Sequence, residues 1–229
     1  MLPNTILVVV AHPDDEVLGM GGTIYRATQE GHLVNVLFLS SGVGARESER
    51  ENAESRQESA KRATKYLGCK EVIFADFPDN SFDSVSVLQI SKVIELQIER
   101  LRPNIVFTNF YEDLNVDHRM TAEATLVASR PKPSSTVSEL YFFEVLSSTG
   151  WKFGSKQFSP NYFIDISSFI EQKIHAVREY SIEIEESPHA RSIDSILALA
   201  RARGNFIGFN LAEAFEVGFI RVNNPSNSV

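Results

Sequence analysis

Cysteine is nearly absent from this chain. Cys69 is the only one in 229 residues, so no internal disulfide can form and the fold does not require an oxidising compartment. Beside Gly68, Cys69 is expected to be a small core-filling residue. Basic residues are also scarce: Lys and Arg total 22 against 30 Asp and Glu, a net charge of −8. A phosphate backbone demands the opposite excess, so nucleic acid is not expected as a partner. No apolar run approaches the roughly 18 residues of a membrane helix. The first residues lead directly into a strand, with no basic stretch followed by an apolar one, so the expectation is a cytoplasmic protein without a transmembrane segment. There is no internal repeat and no G-x-G-x-x-G. Gly21 and Gly22 stand inside the first predicted helix, where they permit close approach of a neighbour, and no dinucleotide is expected.

The composition does supply 43% apolar residues, enough for a sizeable core in one α/β unit. The densest information lies between Ile6 and Thr23, ILVVVAHPDDEVLGMGGT. Val8, Val9 and Val10 are β-branched residues suited to a central strand. His12, Asp14 and Asp15 crowd the place where that strand must stop, and polar groups so concentrated at a strand end rarely serve folding. From Glu16 to Gln29 the apolar residues Val17, Leu18, Met20, Ile24 and Ala27 recur at helical spacing. The segment therefore reads strand, acidic turn, helix, and in open α/β sheets that turn is where ligands bind.

The alternation continues. Leu33 to Ser40 is a second strand, followed by a small polar loop from Ser41 to Ala45. A helix from Glu47 to Leu67 carries Ala60, Ala63 and Leu67 as its apolar stripe and is closed by Gly68. A third strand starts at Val72, a helix spans Val85 to Leu101 before Pro103, and a fourth strand starts at Ile105. Such repeats imply parallel strands with right-handed crossovers. After a helix opening near His118 the pattern loosens. Strands are predicted at Glu139 to Glu144 and from Tyr162, helices near Phe169 to Ile184 and Ser192 to Phe206, and an edge strand at the closing EVGFIRV. One domain is expected over residues 1–222, with a core to about residue 130 and a smaller mixed α/β portion over 131–222; the polar residues 223–229 are expected to be a disordered tail.

His12 and Asp15 can offer an imidazole and a carboxylate to one Zn²⁺ from a single tight turn. A catalytic zinc needs a third protein ligand and an open position for water. The loop after the fourth strand, FYEDLNVDHRMT, supplies His118. Strands 1 and 4 often adjoin at the switch point of a doubly wound sheet, which would bring His12, Asp15 and His118 together. Asp14 is then a carboxylate next to a ligand and free to act as general base. The chemistry implied is metal-assisted hydrolysis of an amide or ester. Two imidazoles and a carboxylate also suit Fe²⁺ or Co²⁺.

AHPDDEVLGMGGT resembles the signature of the zinc-dependent N-deacetylases related to the glycosylphosphatidylinositol de-N-acetylase and to the LmbE proteins. Asp117-His118 resembles the second motif of that family. Arg56, Glu58, the late His-Ala-Arg-Ser and Ala212-Glu213-Ala214-Phe215 extend the resemblance over most of the chain. It implies a Rossmann-like three-layer sandwich with a mostly parallel sheet, and a hydrolase removing acetyl from an N-acetylglucosamine-type amino sugar. It also implies His12, Asp15 and His118 as zinc ligands and Asp14 as the base. Many family members carry a histidine three residues before the third ligand. Asn115 stands there in this chain and can donate a hydrogen bond to an oxyanion but not a proton.

Another group must then protonate the leaving amine, and His189, in the polar segment between two helices, is the candidate, from its own subunit or across an oligomer interface. His32 is expected at the far end of the sheet and His175 on a helix surface. Arg46, Arg50 and Arg56 follow strand 2 and can hold substrate oxygens through their planar forks, although interleaved glutamates suit a salt-bridged helix face equally. Asp117 is expected to orient His118 or support the ligands from behind. An amidase or esterase for another acyl conjugate would use the same residues. A non-catalytic zinc- or sugar-binding domain would not need Asp14.

Overall fold

Seven strands and six α-helices make up the computed structural model, which describes residues 3–40 and 47–222, with the side chains of 47–55 left aside. The strands are β1 (Thr5–Val10), β2 (Leu33–Ser40), β3 (Glu71–Phe77), β4 (Ile105–Asn109), β5 (Glu139–Phe143), β6 (Tyr162–Asp165) and β7 (Ala212–Ile220). The helices are α1 (Asp15–Gln29), α2 (Glu47–Tyr66), α3 (Val87–Leu101), α4 (Val116–Ala128), α5 (Ile170–Arg178) and α6 (Ile193–Ile207). The predicted loop at 41–45, Arg46 and the tail at 223–229 lie outside the described residues, as does the Arg50 side chain.

One sheet runs in the order β3-β2-β1-β4-β5-β7-β6. The first five are parallel, with Val8 of β1 opposite Val36 of β2 and Phe107 of β4. β1 is buried on both faces, which is why its sequence is an unbroken apolar run. Ile6, Val8 and Val10 pack with α1, α2, α5 and α6, and Leu7, Val9 and Ala11 pack with α3 and α4, giving three layers. The strand order reverses between β1 and β4, so the loops leaving these two strands diverge and open a crevice.

The closing strand is not an edge. β7 pairs antiparallel with both β5 and β6, and its first five residues are buried, so four-residue β6 takes the edge instead. α3 begins two residues later than predicted because Ser86 and Gln89 form a reciprocal capping box. α5 ends at Arg178 rather than near Ile184, because the residues beyond are drawn to the sheet end: the Tyr180 hydroxyl donates to Glu16 Oε1 and Glu183 meets two arginines. Gly68 adopts φ +80° after α2, the left-handed geometry that glycine accepts without strain. Cys69 packs against the core, and burial pushes its thiol up, so it carries no thiolate chemistry.

α1 is broken at Met20, whose φ of −150° leaves the helical region. The break frees backbone groups in the protein interior, and two side chains meet them. Glu213 accepts from Gly22 N at 3.0 Å and Thr23 N at 2.6 Å, acting as the cap of the second half-helix. Lys173 Nζ donates to Leu18 O at 2.8 Å and to Glu213 at 2.6 Å. Gly22 matters here for the reason expected of it, since a Cβ would meet Ile166 at 2.8 Å.

Candidate metal centre and its cavity

The residues that follow β1 and β4 meet at the crevice. His12 and Asp15 lie in the turn between β1 and α1, and His118 lies in the first turn of α4. Their ligand atoms lie within 4.8 Å of one another and all three residues are buried. Asp15 Oδ1 is 3.2 Å from His118 Nε2, and Asp15 Oδ2 is 3.6 Å from His12 Nδ1. Asp15 is held in place by His12 N, donating at 3.0 Å, and by Asn109 Nδ2 from the end of β4 at 3.2 Å.

Each imidazole turns its other nitrogen to a carboxylate. His12 Nε2 bonds Asp117 Oδ2 at 2.9 Å, and His118 Nδ1 lies 3.4 Å from Asp113 Oδ2. Asp117 therefore orients His12, not His118, because α4 carries it behind β1; it also accepts from Phe82 N at 2.9 Å. Anchoring the far ring nitrogen in this way fixes the tautomer of a metal-ligating histidine. His12, Asp79 and Asp117 form a second close group, but it uses the nitrogen that Asp117 already takes. The set that fits a divalent ion is His12, Asp15 and His118, two neutral nitrogens and one carboxylate.

Burial lowers the pKa of an imidazole, yet Asp117, Asp15 and Asp79 hold His12 well above its ordinary value, and Asp15 and Asp113 carry His118 up to about 9. Without metal, both rings hold protons at neutral pH that a metal must displace. Because their folded pKa values are raised, these protonated pairs stabilise the metal-free protein below the ordinary imidazole range, and that stability is lost as pH rises through the raised values, about 9 for His118. Metal binding near pH 7 is expected to release about two protons, and affinity to weaken as pH falls. Calorimetric titration in buffers of different ionisation enthalpy measures this; a release of none would show both rings already neutral.

Asp14 stands apart from this set. It is 2% exposed and sits at φ 110°, a strained conformation for a residue other than glycine. Its backbone N donates to Glu16 Oε2 at 3.1 Å. Arg191 Nη1 lies 3.1 Å from Asp14 Oδ2, an ion pair whose angle makes no hydrogen bond, so neither carboxylate oxygen has a hydrogen-bond partner. Desolvation raises the Asp14 carboxyl to about 6 against the pull of Arg191.

A cavity of about 190 Å³ opens over His12 and His118, lined among others by Arg56, Asp79, Asn115 and Ser148. Arg56 pairs with Asp79 at 3.2 Å and Glu183 at 3.2 Å, and Arg191 pairs with Glu183 at 2.5 Å. Asn115 caps α4 by accepting from Asp117 N at 2.8 Å, which leaves its amide nitrogen for a ligand.

His189 is exposed and does not line this cavity; its Nδ1 accepts from Arg191 N at 3.1 Å. The inter-helix segment does reach the site, through Glu183 and Arg191. His32 bonds Asn4 N at the opposite end of the sheet, and exposed His175 stacks on Tyr66. Asp79, Asp113, Asn109, Glu183 and Arg191 were missed by sequence reasoning. Asp79, Asp113 and Asn109 had a usable signal, being polar residues just at or beyond the carboxyl ends of strands; Arg191 had its place in the His-Ala-Arg-Ser run, though no role was drawn from it, and Glu183 fell inside a predicted helix with no signal of its own.

Residues 7–129 match the family model for PIG-L, GlcNAc-PI de-N-acetylase. The chain is 32% identical over 208 residues to the diacetylchitobiose deacetylase of Thermococcus kodakarensis, covering 82% of this chain and 75% of the relative. It is 25% identical over 185 residues to a probable N-acetyl-alpha-D-glucosaminyl L-malate deacetylase 2 of Bacillus anthracis, covering 77% and 80%. Among solved structures, the conserved protein TT1542 from Thermus thermophilus superposes with a TM-score of 0.76 at 26% identity, covering 99% of this chain and 100% of that one.

Proposed function

The chain belongs to the PIG-L family of GlcNAc-PI de-N-acetylases, and from that premise we propose a zinc-dependent hydrolase that removes the acetyl group from an N-acetylated amino sugar of the N-acetylglucosamine type. Asp14 is the observation that carries this reading. A buried carboxylate without hydrogen bonds, in a strained backbone and next in the chain to Asp15, is costly to the fold and has the properties of a general base.

His12, Asp15 and His118 would hold the metal, which when bound supplies Lewis acidity to the acetyl carbonyl and to the attacking water. Asp14 accepts the proton of that water as its oxygen adds to the acetyl carbon. The same carboxyl then delivers the proton to the amide nitrogen as the C–N bond breaks, leaving acetate and a free amine. One group acting twice supplies the proton that Asn115 cannot give, without drawing on His189. Asn115 donates a hydrogen bond to the oxyanion through its amide. Arg191 balances the charge of Asp14 between the two transfers, and Arg56 offers donors to the sugar hydroxyls.

Mass spectrometry of a panel of N-acetylated amino sugars, free and linked to nucleotide, lipid or glycoside, tests the proposal after incubation with zinc-loaded protein. The expected result is loss of one acetyl group from at least one member. No loss from any member, at full metal occupancy, would refute it.

A further inference from the structure

Asp14 occupies the N-cap position of α1. An aspartate there ordinarily takes an extended backbone and accepts from the N–H of the second or third helical residue, here Glu16 or Val17. Asp14 does neither: its φ is 110° and its ψ −29°, and its side chain makes no capping bond. A carboxylate that accepts from its own helix is held in its charged form and is a weaker proton acceptor, so an uncapped Asp14 is the more basic one.

A strained residue keeps its conformation only where its surroundings over-determine it. Glu16 Oε2 accepts from Asp14 N at 3.1 Å. Glu16 belongs to the same turn, however, and holds nothing unless it is anchored elsewhere. The anchor is Tyr180, whose hydroxyl donates to the other oxygen of that fully buried carboxylate at 2.5 Å. Tyr180 is itself fixed, its ring in the core on the α1 side of the sheet and its N donating to Val177 O at 3.0 Å where α5 ends. Burial and the Glu16 carboxylate hold the hydroxyl far above the usual tyrosine range, so the donor keeps its proton at neutral pH. Glu183, whose N donates to Tyr180 O at 2.8 Å, pairs with Arg191, the partner of Asp14 Oδ2. One turn therefore reaches Asp14 by two routes, its carboxylate through Arg191 and its backbone through Glu16. Only the second acts on φ.

Resting on the reading of Asp14 as the general base, we propose that Tyr180 is a positioning residue of the reaction: through Glu16 it holds the Asp14 backbone in its left-handed conformation and so keeps that carboxylate from capping its own helix. Tyr180 does not line the cavity over His12 and His118, and it touches no reacting group.

Tyr180→Phe tests this, because it removes one oxygen and keeps the ring. Glu16 is then left with an unbonded oxygen in the interior and is expected to turn, releasing Asp14 N. The zinc-loaded variant is assayed on whichever member of the sugar panel the parent deacetylates fastest. It should bind metal at the parent stoichiometry, with KM unchanged and kcat lowered by about 10- to 100-fold, the scale of loss from a misplaced catalytic group. In an Asp14→Asn background, where no base remains to be placed, the same substitution should cost nothing further. A crystal structure of Tyr180→Phe should show Asp14 at negative φ, its carboxylate accepting from Glu16 N or Val17 N. A kcat within about twofold of the parent would overturn the proposal. So would an equal loss in both backgrounds, which would make Tyr180 a residue of the fold alone, or an Asp14 still left-handed and unbonded in the variant crystal. No acetate from any panel member refutes the deacetylase reading, and the crystal structure still judges the role of Tyr180 separately.

Discussion

Asp14→Asn is expected to yield a folded protein that binds metal at the same stoichiometry and whose kcat has fallen by about 10²- to 10⁴-fold, the usual loss on removing a general base. Asparagine matches the size of aspartate and tolerates the left-handed φ of 110° better than most residues, so the turn survives. The change also removes a buried charge whose oxygens have no hydrogen bonds, so stability should hold or rise. Arg191 loses one carboxylate but keeps Glu183. What disappears is the capacity of this unbonded carboxylate to accept a proton. Metal analysis, thermal melting and acetate release measured on one preparation separate these effects. Turnover within a few-fold of the parent would exclude Asp14 as the base. Loss of metal would show instead that Asp14 belongs to the ligand set.

Lys173→Met is expected to destabilise the protein by about 3–5 kcal/mol, the cost of leaving one partner of a buried ion pair alone. For a chain of this size that lowers Tm by about 6–20 °C. Lys173 and Glu213 have side chains only 4% and 3% exposed and are 2.6 Å apart. Removing the lysine orphans Leu18 O and leaves a charged Glu213 at the break in α1, held only by Gly22 N and Thr23 N. Two of the ligands, His12 and Asp15, lie just before this break, and the half-helix from Asp15 carries Asp15 itself, so weaker metal binding should accompany the lower Tm. A shift of under about 2 °C would mean that the break satisfies itself without the ion pair.

Legibility differed sharply along the chain. β2 was readable to its ends, because an apolar run bounded by Gly31-His32 and Ser40-Ser41 leaves little choice. His12, Asp14 and Asp15 stood out because a strand buried on both faces cannot accommodate such residues anywhere but at its end. β7 was misread as an edge because its exposed second half, VGFI, gives no hint that β6 pairs along its buried first half. The end of α5 was misread for a related reason. Helical spacing persists through Ile184, but Tyr180 and Glu183 each have a partner more than a hundred residues away in sequence, Glu16 and Arg56, and those contacts override local propensity. His189 was singled out for being an ionisable group in the right loop, yet the chain turns so that Arg191, two residues on, enters the cavity.

By itself, the sequence determined the parallel α/β order, the place of the acidic turn and the chemical types gathered there, since strand and helix periodicities and the residues that interrupt them are local properties. Only the tertiary structure decided which carboxylate supports which imidazole, which carboxylate of the site stays without hydrogen bonds, and which of two nearby loop residues lines the cavity. Those outcomes depend on angles and on distances of a few ångströms between segments far apart in the chain, set by how the two helical layers pack on one sheet.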